Sequence, residues 1–203
     1  MFSVAVTGSI MTSKRGALAF LAGLIALPIL FQKMQAVLEP YVSKVALFQV
    51  HKSPRSVGVV SFLDGGESQR SLADFSAKHI LVNVWATWCP SCKKEMAALE
   101  RLQAGLGPDF EPEIIALSVD AISFEQLRAF YSANGLSGLV LYKGNERDVL
   151  SAFGIGGIPT TLLIDHRGME VARLVGPTLW DAPEISKQLA ELIALTPISN
   201  NAI

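Results

Sequence analysis

Cys89 and Cys92 are the only two cysteines in the chain, and Pro90-Ser91 is all that separates them. They follow the apolar run Ile80-Leu81-Val82-Asn83-Val84-Trp85-Ala86. A strand running into Cys-x-x-Cys puts the first thiol at a helix entrance, where free backbone N–H groups and the positive end of the helix dipole favour thiolate. One turn later, Cys92 is close enough to close a small disulfide ring. The chemistry this allows is reversible dithiol–disulfide exchange through a mixed disulfide. The alternatives are half of a zinc site or two inert buried thiols. Zinc normally takes four ligands, and the sequence has no second Cys-x-x-Cys and no His-x-x-x-His pair.

The flanking pattern predicts the elements that must hold this motif. Val57–Leu63 reads as a strand turned by Asp64-Gly65-Gly66, and Leu72–Phe75 as a single helical turn before the central strand 80–86. From Cys89 to about Gly105, Met96, Leu99 and Leu102 recur at helical spacing, with Lys93, Lys94, Glu100 and Arg101 on the other face. Glu113–Val119 is apolar on both sides and reads as a parallel, central strand. Ser123 and Gln126 form a capping box for a helix that stops at Asn134-Gly135. A short strand over 139–142 and a short helix over 148–153 come next. Two strands, 160–164 and 170–175, are joined by the turn 165–168, and a last helix covers 183–195. Strands alternating with helices and closing on a hairpin give an α/β sandwich around one mixed sheet. His51, His79 and His166 fall in spacer, pre-strand and turn and read as surface residues, while Asp165 reads as a turn former.

Composition narrows the function. At 203 residues the chain has room for one domain plus an appendage. A net charge of -1 and a pI near 6.3 give no electrostatic case for nucleic acid. With both cysteines in the motif, none is left for a structural bridge. The uncharged run 16–31 (GALAFLAGLIALPILF) lies between Lys14-Arg15 and Lys33, with no Ala-x-Ala cleavage pattern following it before Glu39-Pro40. It is longer than a usual signal-peptide core and a little short of the roughly 20 residues of a full span, a gap that snorkelling by Arg15 and Lys33 can close. This run is expected to be an uncleaved transmembrane signal-anchor in the bilayer, with residues 1–15 cytoplasmic and the domain exported. Residues 32–56 read as a juxtamembrane spacer with a short helix over 33–47, residues 57–195 as the domain, and 196–203 as a tail. Met11 directly precedes the basic-then-apolar pattern and is a second candidate start.

Three stretches resemble the thioredoxin superfamily, in its membrane-anchored TlpA/ResA-like branch. They are residues 81–96 (LVNVWATWCPSCKKEM), Gly157-Ile158-Pro159-Thr160-Thr161-Leu162-Leu163-Ile164-Asp165, and Val175-Gly176-Pro177. The resemblance runs in order over about 57–195 and implies a thioredoxin-like three-layer sandwich. It implies Cys89 as nucleophile and Cys92 as resolving thiol, joined as a disulfide when oxidised. It also implies Trp88, Pro90, Ile158 and Pro159 as the substrate-binding set, Pro159 being the cis-proline that faces the cysteines. An x-Pro bond becomes cis at modest cost and offers no N–H to an incoming chain. Without the resemblance, Pro159 would read as a strand-start proline and Trp88 equally well as a core residue. Where soluble thioredoxins carry a buried aspartate, this chain has Asn83, and Glu95 matches the acidic residue of the anchored branch. Glu95 sits three residues after Cys92, on the same helix face, where it could accept the proton of Cys92; the alternative is a solvated charge beside Lys93-Lys94.

The expected activity is thiol–disulfide exchange without a cofactor or metal, in the reducing direction, on the periplasmic face of a bacterial inner membrane. The resemblance implies protein disulfide substrates such as apocytochrome c or copper-site proteins, and recharging by a membrane electron donor. Rival readings are an oxidase or isomerase of exported proteins and a non-enzymatic copper chaperone. A copper chaperone would want Cys-x-x-x-Cys with a placed histidine, and a thiol peroxidase a threonine three residues before its cysteine. Here Thr87 stands two residues before Cys89.

Overall fold

Burial follows the sequence pattern most closely in the strand that leads to the cysteines, where all six residues of Ile80–Trp85 are buried. The computed structural model describes residues 47–76, 78–105 and 113–196. In chain order its elements are β1 (Gln49–Ser56), β2 (Ser61–Asp64), β3 (Gln69–Ser71), a 3-10 turn (Leu72–Phe75) and β4 (Ile80–Trp85). They continue with α1 (Pro90–Gly105), β5 (Glu113–Ser118), α2 (Phe124–Ala133), β6 (Leu141–Gly144) and α3 (Glu146–Ala152). Last come β7 (Thr160–Ile164), β8 (Met169–Val175) and α4 (Pro183–Ala194). The strands form one eight-stranded sheet in the order β1-β8-β7-β4-β5-β6-β2-β3. The pairs β4–β5 and β5–β6 are parallel; the other neighbours are antiparallel.

Successive side chains of a strand point to opposite faces. All of β4 and β7 is buried, and all of β5 except Glu113, so both faces of the sheet centre are covered. This is the α/β sandwich with a mixed sheet that the alternating pattern predicts. The core is continuous across Leu81, Val82, Trp85, Met96, Leu99, Ile115, Leu117, Leu162, Leu163, Trp180, Ile185 and Leu189. The Ser123–Gln126 capping box forms as read, each partner satisfying the other's backbone N–H.

Several boundaries differ from the sequence reading, each for a local reason. Residues 57–60 are not strand; Gly58 N–H donates to the carbonyl of Ala152 at 2.8 Å, and a Cβ there would meet that oxygen at 2.7 Å. The strand expected at 139–142 forms at Leu141–Gly144, because Leu139 N–H is taken by Glu100 at 3.2 Å. α3 starts two residues early, capped by Asn145, whose side chain accepts from Asp148 N–H. His79 is buried rather than on the surface, with Nε2 2.9 Å from the hydroxyl of Thr196. Asp165 does act as a turn former, accepting N–H bonds from Arg167 and Met169. The anchor over 16–31 and the tail beyond 196 lie outside the described residues, as does the 33–47 helix except for Leu47. Among the described residues no helix is long and apolar enough to cross a membrane.

β1 lies within the stretch read as spacer. It pairs with β8 with an irregularity between Val50 and Arg55, and it is exposed along nearly its whole length. Its fastening is polar, which is why hydrophobic periodicity did not find it. Glu170 of β8, itself buried, lies 2.7 Å from His51 Nε2, 3.1 Å from Arg55 Nη2 and 2.6 Å from Arg173 Nε. Burial works against the charge on Glu170, but the hydrogen bonds from Arg173, His51 and Arg55 prevail and hold its carboxyl at about 2. A carboxyl depressed below its unfolded value of 4.5 contributes stability above that value and loses it as pH falls towards 2. Thermal unfolding from pH 6 to pH 2 should therefore show a steep acid loss that Glu170→Gln flattens; parallel curves for the two proteins would contradict this.

Candidate active site

The redox pair is set by two elements meeting at one edge of the sheet. β4 ends at Trp85, and Cys89 N–H closes a turn on Ala86 at 3.1 Å before α1 begins at Pro90. Proline suits this first helical position, since its missing N–H would have no intrahelical partner. The two sulfurs are bonded as a disulfide, with Cα atoms 5.3 Å apart. Cys92 N–H, one of the helix's free N-terminal donors, points at the Cys89 sulfur from 3.2 Å. The Ser91 hydroxyl lies 3.3 Å from the same sulfur. These groups would favour thiolate at Cys89 once the disulfide opens.

Across from the pair, the Ile158–Pro159 bond is cis, and the Ile158 carbonyl lies 3.9 Å from the Cys89 sulfur. Gly176, with φ of 90°, donates its N–H to the Pro159 carbonyl at 2.9 Å, so the 175–177 stretch braces the proline loop. Trp88 is 58% exposed and stands outside the core, and Pro90 is also exposed; Ile158 is half-buried and Pro159 buried. The sequence-predicted residues Trp88, Cys89, Pro90, Cys92, Ile158 and Pro159 thus come from two separate chain segments, β4–α1 and the start of β7.

Glu95 lies on the buried face of α1 together with Cys92, 4% exposed. One carboxylate oxygen accepts from Asn83 Nδ2 at 3.2 Å and the other from Thr178 N–H at 3.1 Å. The indole N–H of Trp180 approaches without reaching hydrogen-bond geometry. Burial pushes the carboxyl up to about 7, and the bonds from Thr178 and Asn83 only partly offset it. A group titrating there can take or release a proton near neutral pH. Asn83 also donates to the hydroxyl of Thr161 at 3.0 Å, while its own carbonyl oxygen is buried without a partner.

Sequence reasoning missed Thr161, Thr178 and Trp180 around Glu95, and Asp120 beside Thr87. Thr178 directly follows the Val175-Gly176-Pro177 stretch, and the only signal for it was that adjacency. Asp120 follows the C-terminal end of β5, the edge of a parallel sheet where functional groups collect. The Thr87 hydroxyl donates to Asp120 at 2.7 Å and is thereby engaged away from the cysteines.

A cysteine pair at the start of a helix, opposite a cis-proline and on a mixed sheet, defines a thioredoxin-like protein. The chain belongs to the AhpC/TSA family, whose model matches residues 56–171. It is 31% identical over 121 residues to the thiol-disulfide oxidoreductase ResA of Bacillus thuringiensis, covering 58% of this chain and 65% of that protein. The chain therefore spans slightly less than two thirds of the length of that relative. ResA of Bacillus cereus is 30% identical over 140 residues, 67% of this chain and 75% of that protein. The thioredoxin-like protein YneN of Bacillus subtilis is 31% identical over 103 residues, 49% of this chain and 57% of its own length. Among solved structures, the DsbF homologue from Corynebacterium diphtheriae superposes with a TM-score of 0.57 at 20% identity, covering 75% of this chain and 93% of that one. That likeness is one of fold.

Proposed function

We propose that this protein is a thiol–disulfide oxidoreductase that reduces disulfides in partner proteins, with Cys89 attacking and Cys92 resolving. The observation carrying this reading is the Cys89–Cys92 disulfide at the N-terminus of α1, with the cis Ile158–Pro159 bond facing it. Attack by the Cys89 thiolate on a substrate disulfide forms a mixed disulfide and releases one substrate thiolate. Cys92 then loses its proton to Glu95 and attacks the Cys89 sulfur, releasing the second substrate thiolate and leaving the pair oxidised. Trp88, Pro90, Ile158 and Pro159 form the surface on which the substrate segment docks.

The reducing direction is supported by the carboxylate. A helix N-terminus stabilises thiolate and favours oxidant behaviour, whereas ionised Glu95 beside Cys92 disfavours thiolate and makes the dithiol a better donor. The apolar run 16–31 with its basic N-terminal flank supports a tether that exports the domain to the periplasmic side of the inner membrane. There, apocytochrome c or copper-site cysteines are substrates in keeping with the ResA-like resemblance, and a membrane electron donor recharges the pair. Reduction of insulin by the full chain, recycled with a small dithiol, is the direct test of the activity. No acceleration over the dithiol alone would sink it. The tether predicts carbonate-resistant membrane association, and a shortened soluble form in the exported fraction would contradict it.

A further inference from the structure

Asp120 is a buried carboxylate that the exchange mechanism leaves unused. It is 3% exposed, and among the described residues it forms no ion pair. Instead it is surrounded by donors. Thr87 N–H lies 3.1 Å from one oxygen and 2.9 Å from the other. The Thr87 hydroxyl donates at 2.7 Å and the Ser118 hydroxyl at 2.7 Å. Ser118 is in turn fixed by accepting the N–H of Asp120 at 3.2 Å. A carboxylate, which only accepts, matches this set at both oxygens; an amide would set an N–H against it.

Thr87, the residue so anchored, immediately precedes Trp88, which is exposed beside the redox pair, and Cys89 comes directly after that. Cys89 N–H is held by the turn to Ala86, and its sulfur must stay aligned with Cys92 N–H. β5 and β4 are tied just below by Val119 N–H to the Trp85 carbonyl at 2.9 Å. Apart from the sulfur contacts of Cys89, the side-chain clamp on the segment from Ala86 to Cys89 among the described residues is Asp120 on Thr87. A hydrogen-bonded buried carboxylate is costly to leave half-satisfied, so the clamp is stiff.

We propose that Asp120 is a positioning residue of the redox loop: its carboxylate pins Thr87 and so sets Trp88 and the Cys89 sulfur against the start of α1. This rests on the reading of Cys89 as the attacking thiol. Without the clamp the loop loosens, the Cys89 sulfur spends less time aligned with Cys92 N–H and the helix end, and thiolate is less favoured. The charge of Asp120 would act the other way, since removing a nearby negative charge by itself favours thiolate. Positioning and plain charge thus predict opposite signs. Glu95, the other buried carboxylate of the site, stays intact in every variant of the test.

The experiment is alkylation rate against pH on the reduced full chain, for wild type, Asp120→Asn, Thr87→Val and Thr87→Ser. Thr87→Val removes one clamp bond but keeps every charge, and Thr87→Ser keeps the hydroxyl. Positioning predicts that Asp120→Asn and Thr87→Val both raise the apparent thiol pKa, by about half a unit or more, or roughly threefold less thiolate at fixed pH. Thr87→Ser should behave like wild type. If Asp120→Asn does not fold, Thr87→Val against Thr87→Ser decides alone. A downward shift in Asp120→Asn with wild-type behaviour in Thr87→Val would make Asp120 a plain charge and overturn the proposal. So would two unmoved curves. A wild type whose thiol is itself unshifted would instead sink the reading of Cys89.

Discussion

Replacing Cys89 by alanine should remove disulfide exchange, with a loss of about a thousandfold or more, the scale seen when an attacking nucleophile is deleted. The reason is geometric. Cys92 is fully buried beneath the helix start, and it is the Cys89 sulfur that the Ser91 hydroxyl and the Ile158 carbonyl approach. Cys89 keeps 4% of its surface where Cys92 keeps none, which favours Cys89 as the thiol that meets a docked substrate. Cys92→Ser should behave differently, because attack remains possible while resolution does not. Mixed disulfides with partners should accumulate, visible as dithiothreitol-sensitive adducts in non-reducing gels, and their identities would name the substrates. A Cys89→Ala protein that still reduces insulin, or a Cys92→Ser protein that traps nothing from cells, would refute the assigned roles.

The second large effect belongs to Glu95. Its carboxyl is held at about 7 by burial, so in the folded protein it carries a proton more readily than its usual value of 4.5 allows. In a carboxylate raised in this way, the folded state binds the extra proton between those two values. Stability therefore falls as pH rises from 4.5 to about 7 and is flat above. Glu95→Gln should remove that slope, whatever constant offset arises from placing an amide against Asn83 and Thr178. On the chemistry it should act twice and in opposite senses. Loss of the charge lowers the apparent thiol pKa values of the coupled set, speeding alkylation at neutral pH. Loss of the proton acceptor slows release of the mixed disulfide, by about a hundred- to ten-thousandfold on the usual scale of general-base contributions. Single-turnover kinetics separate the two, and superimposable wild-type and variant profiles would reduce Glu95 to a structural residue.

The contrast between what the sequence showed and what it hid tracks the physics of each element. β4, α1, β5 and β7 are legible because burial imposes a pattern: Ile80–Trp85, apart from Asn83, and Thr160–Ile164 are apolar or β-branched runs, and α1 repeats Met96, Leu99 and Leu102. The cysteines are legible because their spacing is tied to a strand–helix junction. β1 was hidden because its side chains are exposed and its attachment runs through Glu170, His51, Arg55 and Arg173, residues scattered over more than a hundred positions. The supports of the site were hidden for the same reason. Asn83, Glu95 and Thr178 meet only when β4, α1 and the loop after β8 converge, and Thr87 meets Asp120 only when β4 and β5 pair. Local spacing carries no record of such contacts. His79 shows the converse error, a polar residue placed on the surface by type and buried by topology.

The midpoint potential of the Cys89–Cys92 couple tests the central claim most directly, because the claim is one of direction. Equilibration of the purified protein against a dithiol–disulfide buffer, with the two states resolved by thiol alkylation, gives the value without any knowledge of the natural partner. A reductant whose buried carboxylate opposes thiolate should lie near thioredoxin, at about -270 mV. A value above about -150 mV, approaching strong oxidants near -120 mV, would contradict the account and turn the same site into an oxidase of exported proteins.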